Sequence, residues 1–279
     1  MSLPTFVSEA PFAIGETVTL GEDAAHHLRV RRLDTGMRVG LLDGSGSRGA
    51  GVLTLLAKRH ATVHVDAVEL VAPPSPVHLL LPVADKDRML WLAEKATELE
   101  LTTWRPVLVR RSRHVTPRGE GPTFHQRVRG RIAAALEQSG GAWAPTMYPE
   151  AALGAALAAA PEGVRLLLDG DGVALRDHLA GVSASVRSVV GDRALTDGPA
   201  APAVTIALGP EGGIEPSERE ELIAAGFVPV SLGRSILRFE TAGLAALAAV
   251  RVALADALGA ALGDALGDAL GDVPPSIAP

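Results

Sequence analysis

Two stretches near the C-terminal end hold the residues whose types and spacing could bind a ligand. One is Leu208–Gly213 in "IALGPEGGIEPSERE"; the other is Ser231–Leu237 in "SLGRSILRFETAG". Each follows an apolar run, "AVTIAL" and "FVPVSL". In an open α/β sheet, ligands sit beyond the carboxyl ends of the strands, which is where both loops fall. Glycines in that place first suggest a phosphate cradle, built from backbone N–H groups and normally a Lys or Arg. The first loop has neither cation. Pro210 removes one N–H, and Glu211 and Glu215 repel a polyphosphate. Neither loop spells GxxxxGK[ST] or GxGxxG, so a nucleoside triphosphate or a dinucleotide is disfavoured. A ligand read by backbone groups and tolerant of nearby acid fits better. S-adenosylmethionine has that character, with its neutral adenine, its ribose and its positive sulfonium. Singly, Gly140 and Gly226 read as helix C-terminal turns. Gly209, Gly212 and Gly213, crowded between a strand and a helix, read as functional.

The elements that must position these loops alternate. After the Pro-rich break "VAPPSPV" (71–77), the run "VHLLLPV" marks a strand buried on both faces. Helix "DKDRMLWLAEKATELEL", strand "WRPVLV" and helix "FHQRVRGRIAAALEQSG" follow, then helix "PEAALGAALAAA" and strand "VRLLLD". The two loop-bearing strands and a long Ala-rich helix from about Glu240 complete the order. Such alternation predicts a mostly parallel sheet covered by helices. Residues 1–72 read differently, as short β-branched runs with one helix at "GEDAAHHLRVRRL". The expected division is therefore 1–72, a β-rich domain, and 73–279, an α/β domain. Residues 181–202 read as a surface excursion. The repeat "ALGDALGDALGD", in a low-complexity tail from about residue 259, reads as an extension of the last helix, followed by a disordered "VPPSIAP".

The chain has 279 residues, no Cys and a formal net charge of −6. Disulfides, thiolate metal sites and cysteine nucleophiles are excluded. The eight His are scattered apart from His26–His27, so no metal is expected. No signal peptide is expected at "MSLPTFVSEAPF", and no apolar run approaches the 18 or so residues of a membrane span. These readings predict a soluble, cytoplasmic protein with no membrane partner. Charge is uneven: residues 101–132 carry eight Arg and one acid, Glu120. A basic stretch on an acidic protein is a local footprint for RNA. The candidates are His26, Arg29, Arg31 and Arg32 in "HHLRVRRL" and Arg110, Arg111 and Arg113 in "VRRSRHV".

"GPEGG" together with "SLGRSILRFETA" closely resembles the SPOUT-class methyltransferases, in particular the family that methylates N3 of a uridine in 16S ribosomal RNA. "HHLRVRRLDTGMRVGLLDGSG", "KDRMLWLAEKATELEL", "RSRHV" and "ALEQSGGAWAP" extend the resemblance through most of the chain. It implies an N-terminal PUA-like β-barrel that binds RNA and a C-terminal α/β trefoil-knot domain. It also implies a homodimer whose subunits complete each active site, with 16S rRNA or the assembled small subunit as partner. The cofactor loops become Leu208, Gly209, Pro210, Glu211, Gly212 and Gly213, then Ser231, Leu232, Gly233, Ile236 and Leu237. Arg238, Thr241 and Ala242 stand beside them, and Leu168 and Asp169 form a third wall. The chain departs from the family at Glu100, where Gly is usual, at Phe239, where Thr is usual, and at Glu215, where Ser commonly caps the next helix.

N3 methylation demands positioning, support for the uracil oxygens and a sink for the N3 proton. Arg238 is the candidate contact to the uracil or its phosphate, the alternative being a structural pair with Glu240. Glu137 is the candidate base or positioning group, the alternative being a cap or salt bridge at its helix end. Arg251 reads as a solvated helix residue or as one facing a partner's site; Lys95 and Glu98 read as a pair one turn apart. Three other functions remain open at this stage: a ribose 2′-O methyltransferase acting on tRNA or 23S rRNA, a non-catalytic RNA-binding module, and an ATP-dependent α/β enzyme.

Overall fold

A computed structural model describes residues 3–114, 118–181 and 202–271. The chain forms two compact units. The first comprises Met1–Pro74 with Asp85–Thr102 and Gly119–Met147; the second comprises Ser75–Ala84, Thr103–Arg118 and Tyr148–Pro279.

The first unit is built on a five-stranded sheet. Its strands are β1 (Thr5–Val7), β2 (Thr17–Leu20), β3 (Arg38–Leu42), β4 (Ser47–Leu56) and β5 (Ala61–Leu70), in the order β1-β3-β4-β5-β2. β1 runs parallel to β3; the other pairs are antiparallel. Alternation of apolar and polar residues gives β2 and the first half of β5 one buried face, while β3 is buried at every position after Arg38. Phe6, Leu20, Leu41, Leu53, Val63 and Val65 meet there, joined by Ala25 and Leu28 of helix α1 (Glu22–Val30). A GxGxxG spacing does occur in the chain, at Gly44–Gly49. It connects the antiparallel strands β3 and β4 and opens no helix, so it lacks the strand–loop–helix setting of a dinucleotide site.

Helices α2 (Lys86–Glu98) and α3 (Pro122–Ser139) pack together in the same unit. Asp85 caps α2, its Oδ1 accepting the N–H groups of Asp87 (3.1 Å) and Arg88 (3.0 Å). α3 ends on Gly140 in the left-handed conformation (φ 74), as its composition predicts. Lys95 pairs with Glu98 (2.7 Å) and also with Glu94 (2.9 Å). After α2, Glu100 adopts φ 56, the left-handed region that favours glycine. Gly is the usual family residue there, and the backbone explains why.

The second unit carries a parallel sheet, the strand order being β12-β10-β11-β6-β7 with β9 beside β7. Its strands are β6 (Val77–Pro82), β7 (Thr103–Leu108), β9 (Ala151–Ala152), β10 (Gly163–Ala174), β11 (Ala203–Ala207) and β12 (Val228–Ser231); the short β8 (Thr146–Met147) belongs to the first unit. A 3₁₀ turn at Arg110–His114 follows β7. The helices are α4 (Leu153–Ala158), α5 (residues 175–181), α6 (Pro216–Ala224) and α7 (Phe239–Gly271). One core packs Leu80, Val107, Leu167, Ala207, Leu222 and Phe227 between the sheet and α4 and α6. The sequence predicted a helix over "PEAALGAALAAA". Only Leu153–Ala158 is helical, because Ala151 and Ala152 are drawn into pairing with β7. The strand predicted at "VRLLLD" extends to Ala174. Helix α7 continues through the Gly-containing repeat to Gly271, while "VPPSIAP" and residues 182–201 lie outside the described residues. The expectation that no apolar run reaches spanning length needs correction. Phe239–Ala260 is 22 residues long with mean hydropathy 1.6, because a run of Ala and Leu dilutes its few charges. One stripe of this helix is buried, at Ala246, Leu247, Val250, Leu254 and Ala257, and α7 packs on β6 and β11.

Candidate active site

The carboxyl ends of β10, β11 and β12 open on a cavity of about 610 Å³, within the range of small-ligand sites. Three segments wall it. The end of β10 supplies Leu167–Asp171, the loop after β11 supplies Leu208–Glu211, Gly213 and Ile214, and the loop after β12 supplies Val230–Leu237. Phe239 and Ala242 at the start of α7 and Arg219 on α6 complete the lining.

The first loop is held by a small set of bonds. Leu208 N–H donates to the Leu80 carbonyl (2.9 Å), prolonging the β11–β6 ladder by one residue. A turn follows, with Gly213 N–H bonded to the Pro210 carbonyl (2.8 Å). Gly213 has φ 76, so a side chain there is strained. Below the turn, Glu215 starts α6. Its N–H donates to Glu218 Oε2 (3.2 Å), the back-reach of a capping box. Glu218 Oε1 accepts the N–H of Arg110 (2.8 Å). Arg111 grips the same corner: Nε donates to Glu215 Oε1 (2.7 Å) and Nη1 to the Gly212 carbonyl (2.5 Å). Glu in place of the usual Ser thus gains a charged partner that Ser could not hold. In the second loop, Ser231 Oγ donates to the Gly233 carbonyl (3.1 Å). Gly233 has φ 138.

Of the residues singled out from the sequence, Leu168, Asp169, Leu208, Gly209, Pro210, Glu211, Gly213, Ser231, Leu232, Gly233, Ile236, Leu237 and Ala242 come together on the cavity wall. Gly212, Arg238 and Thr241 are adjacent in sequence but are not lining residues, and all three are exposed. Arg111 and Arg110 support the first loop as described, with Arg111 still partly open to solvent. The side chain of Arg113 lies outside the described residues. His26, Arg29, Arg31 and Arg32 are exposed on and just after α1 in the first unit. Glu137 is also in that unit, where its carboxylate accepts the Val7 N–H (3.2 Å); burial raises its pKa above the ordinary value. Arg251 donates to the Ser75 carbonyl (2.5 Å).

Sequence reasoning weighed the cations of the first glycine loop alone and missed two that line the cavity: Arg234, inside the second loop, and Arg219, from another element. Arg219 comes from α6, on the third residue after its initial Pro216, and its Nε donates to Asp169 Oδ2 (2.6 Å). Burial raises the Asp169 pKa, but the Arg219 hydrogen bond and the Asp171 N–H (3.1 Å) outweigh it and hold the carboxyl below its usual range. Three carboxylates, Asp169, Asp171 and Glu211, face two guanidiniums. The cavity therefore keeps the acidic balance that disfavours a polyphosphate. Among the described residues, no group of three His, Asp or Glu could hold a metal ion.

A parallel sheet with a cavity across three strand ends, in a chain that also carries a five-stranded β unit, is the setting of an α/β ligand-binding domain. The model of the RNA methyltransferase domain family matches residues 72–251, and that of the RNA methyltransferase PUA domain matches residues 20–66. The chain belongs to the RNA methyltransferase domain family, with an N-terminal PUA-like domain and a C-terminal sheet of parallel strands that matches SPOUT methyltransferase structures. Among individual proteins, it is 30% identical over 244 residues to ribosomal RNA small subunit methyltransferase E from Synechocystis sp., covering 86% of this chain and 75% of that protein. The crystal structure of ribosomal RNA small subunit methyltransferase E from Neisseria gonorrhoeae, bound to S-adenosyl methionine, superposes with a TM-score of 0.72 at 28% identity. That match covers 90% of this chain and 98% of the other. A putative methyltransferase from Legionella pneumophila shares the fold, with a TM-score of 0.75 at 22% identity and coverage of 91% and 98%.

Proposed function

We propose that this chain is an S-adenosylmethionine-dependent methyltransferase that modifies N3 of a uridine in 16S rRNA of the small ribosomal subunit. The observation that carries the proposal is the three-walled cavity at the strand ends, in a chain whose relatives bear the name ribosomal RNA small subunit methyltransferase E. The lining suits the cofactor. Its volume is adequate, its loops offer backbone groups to the adenine and ribose, and its surplus carboxylate tolerates a sulfonium.

S-adenosylmethionine supplies the electrophilic methyl group. Uracil N3 attacks that carbon in line as the sulfur takes the C–S bonding pair; the N3 proton leaves to a base or to solvent, and S-adenosylhomocysteine remains. The protein's part is to orient the reactants and to support the charge on the uracil oxygens. Arg238, exposed between the second loop and α7, is the group we assign to the uracil or its phosphate. Glu137 stands beside it in the proposal as the base or positioning group; its Oε1 accepts the Val7 N–H, and burial raises its pKa. Residues 1–72, with the exposed arginines on and just after α1, would hold the RNA, and residues 73–279 would carry out the transfer. A homodimer through the second unit is part of the proposal. It is supported by Ile236, 102% exposed on the cavity loop beside the partly exposed Leu237. An rRNA substrate supports the reading that the protein acts in the cytoplasm.

Incubation with methyl-labelled S-adenosylmethionine and 30S subunits from an unmodified strain tests the proposal, with nucleoside mass spectrometry to separate base from ribose methylation. Label in N3-methyluridine is expected; label in a 2′-O-methyl nucleoside, or none, overturns it. Light scattering that gives a monomer at micromolar concentration removes the dimer.

A further inference from the structure

Residues 169–172 spell Asp-Gly-Asp-Gly and leave the sheet at the cavity. β10 pairs with β12 at Leu168↔Val230, and pairing resumes at Val173 opposite the same Val230. Four residues are thus looped out at a single register position, at the end of the strand where the ligand sits. The returning leg passes very close to β12. A Cβ on Gly172 would stand 2.4 Å from the Pro229 carbon and the Val230 nitrogen, so that leg admits only glycine. The outgoing leg is held by side chains. Asp169 uses one carboxylate oxygen for the Asp171 N–H within the loop and the other for Arg219 on α6. Asp169, Gly170, Asp171 and Arg219 all line the cavity. Arg219 donates through Nε, a short charge-assisted bond. Because Asp169 titrates below the usual carboxylate range, the pair stays ionised at neutral pH.

We propose that the Arg219–Asp169 pair is a positioning device that fixes the 169–172 loop as the third wall of the cavity and so sets the affinity for S-adenosylmethionine. This rests on the cofactor reading above. The two residues act through the backbone they hold. The 169–171 loop offers peptide groups to the ligand only while Asp169 is anchored from α6, and a preformed wall spares the ligand the cost of ordering it. A purely electrostatic role predicts something else. Without the guanidinium, Asp169 adds an unpaired negative charge to the cavity. That charge favours the cationic sulfonium of S-adenosylmethionine over the neutral thioether of S-adenosylhomocysteine. Positioning weakens both ligands alike, because both share the adenosine.

Calorimetry on the full chain separates these cases, with both ligands titrated into the wild type, R219Q, D169N, R219K and the double swap D169R/R219D. R219Q and D169N are expected to weaken both ligands by about 10-fold, at the lower end of what a lost supporting contact costs at a bound group. The ratio of the two affinities stays constant, and RNA affinity in filter binding follows the wild type. R219K recovers part of the loss, because a single N–H is all the pair requires, and the double swap binds more tightly than D169R or R219D alone, both titrated beside it. Wild-type affinity in R219Q, or tighter S-adenosylmethionine with unchanged S-adenosylhomocysteine, overturns the inference. If the wild type binds neither ligand, the cofactor reading fails, and hydrogen exchange still decides this one. Amides 169–172 must exchange faster in R219Q than in the wild type, and equal rates refute it.

Discussion

Replacing Glu218 by Ala tests how the first glycine loop is anchored. The side chain is 7% exposed, and both carboxylate oxygens are in use. Oε1 accepts the Arg110 N–H at 2.8 Å, and Oε2 accepts the Glu215 N–H at 3.2 Å. Truncation leaves two backbone donors without an acceptor, and each such group costs about 1–3 kcal/mol when water cannot replace the partner. Both donors lie in partly buried surroundings, so the lower half of that range applies, about 2–4 kcal/mol in all. A chain of this size loses roughly 2–4 °C of melting temperature per kcal/mol, which gives a fall of roughly 4–16 °C. Glu218→Gln keeps the shape and one acceptor and should lose about half as much. Scanning calorimetry at neutral pH and fixed protein concentration reads the shift, and S-adenosylmethionine affinity should fall with it as the loop loosens. An E218A melting temperature within about 2 °C of the wild type would show that neither donor depends on this carboxylate.

Glu100→Gly should raise stability by about 1 kcal/mol, since φ 56 strains any residue with a Cβ; urea denaturation measures it. Gly213→Ala has ordinary space, its Cβ standing 3.5 Å from Arg111 Nη1, so its cost is conformational. A loss of about 1–2 kcal/mol is expected, together with weaker cofactor binding by calorimetry. Arg238→Ala should leave the S-adenosylmethionine dissociation constant near wild type while turnover on 30S subunits falls roughly 100-fold. Glu137 has a folded pKa above its ordinary 4.5, chiefly through burial. Its contribution is therefore fully present below that value and is lost as pH rises through the folded pKa. Glu137→Gln keeps an acceptor for Val7 and should flatten the stability–pH curve just above 4.5; an unchanged curve contradicts the assignment.

The sheet and both cavity loops were legible because their signals are local: continuous apolar runs, then glycines, then a helix start. Asp169 was placed on a third wall from the resemblance, and nothing in its neighbourhood announced the partner fifty positions later. Arg219 sits in "PSEREEL", where it reads as one charge among several on a solvated helix. Only the packing of α6 beside the end of β10 makes it a cavity residue. Arg111 shows the reverse. Its stretch reads as a basic footprint, yet its guanidinium is committed to Glu215 and the Gly212 carbonyl. The four-residue excursion in β10 was invisible for another reason. "DGDG" looks like a strand's end, and a strand that resumes after a loop leaves no periodic trace. The spanning-length apolar stretch in α7 was missed because its Ala content reads as helix propensity before it reads as hydropathy.

The bond from Leu208 N–H to the Leu80 carbonyl joins residues 128 positions apart, and it lies at the lip of the cavity. On a growing chain, β6 is synthesised long before the strand that will lie beside it. Its edge, and that of β10, stay open until β11 and β12 emerge. Closing such spans is entropically costly and slow. The ligand site is therefore a late event in the life of the chain, with no binding surface for most of synthesis. The early sheet must be kept from pairing with other chains, a burden on whatever meets the nascent protein at the ribosome.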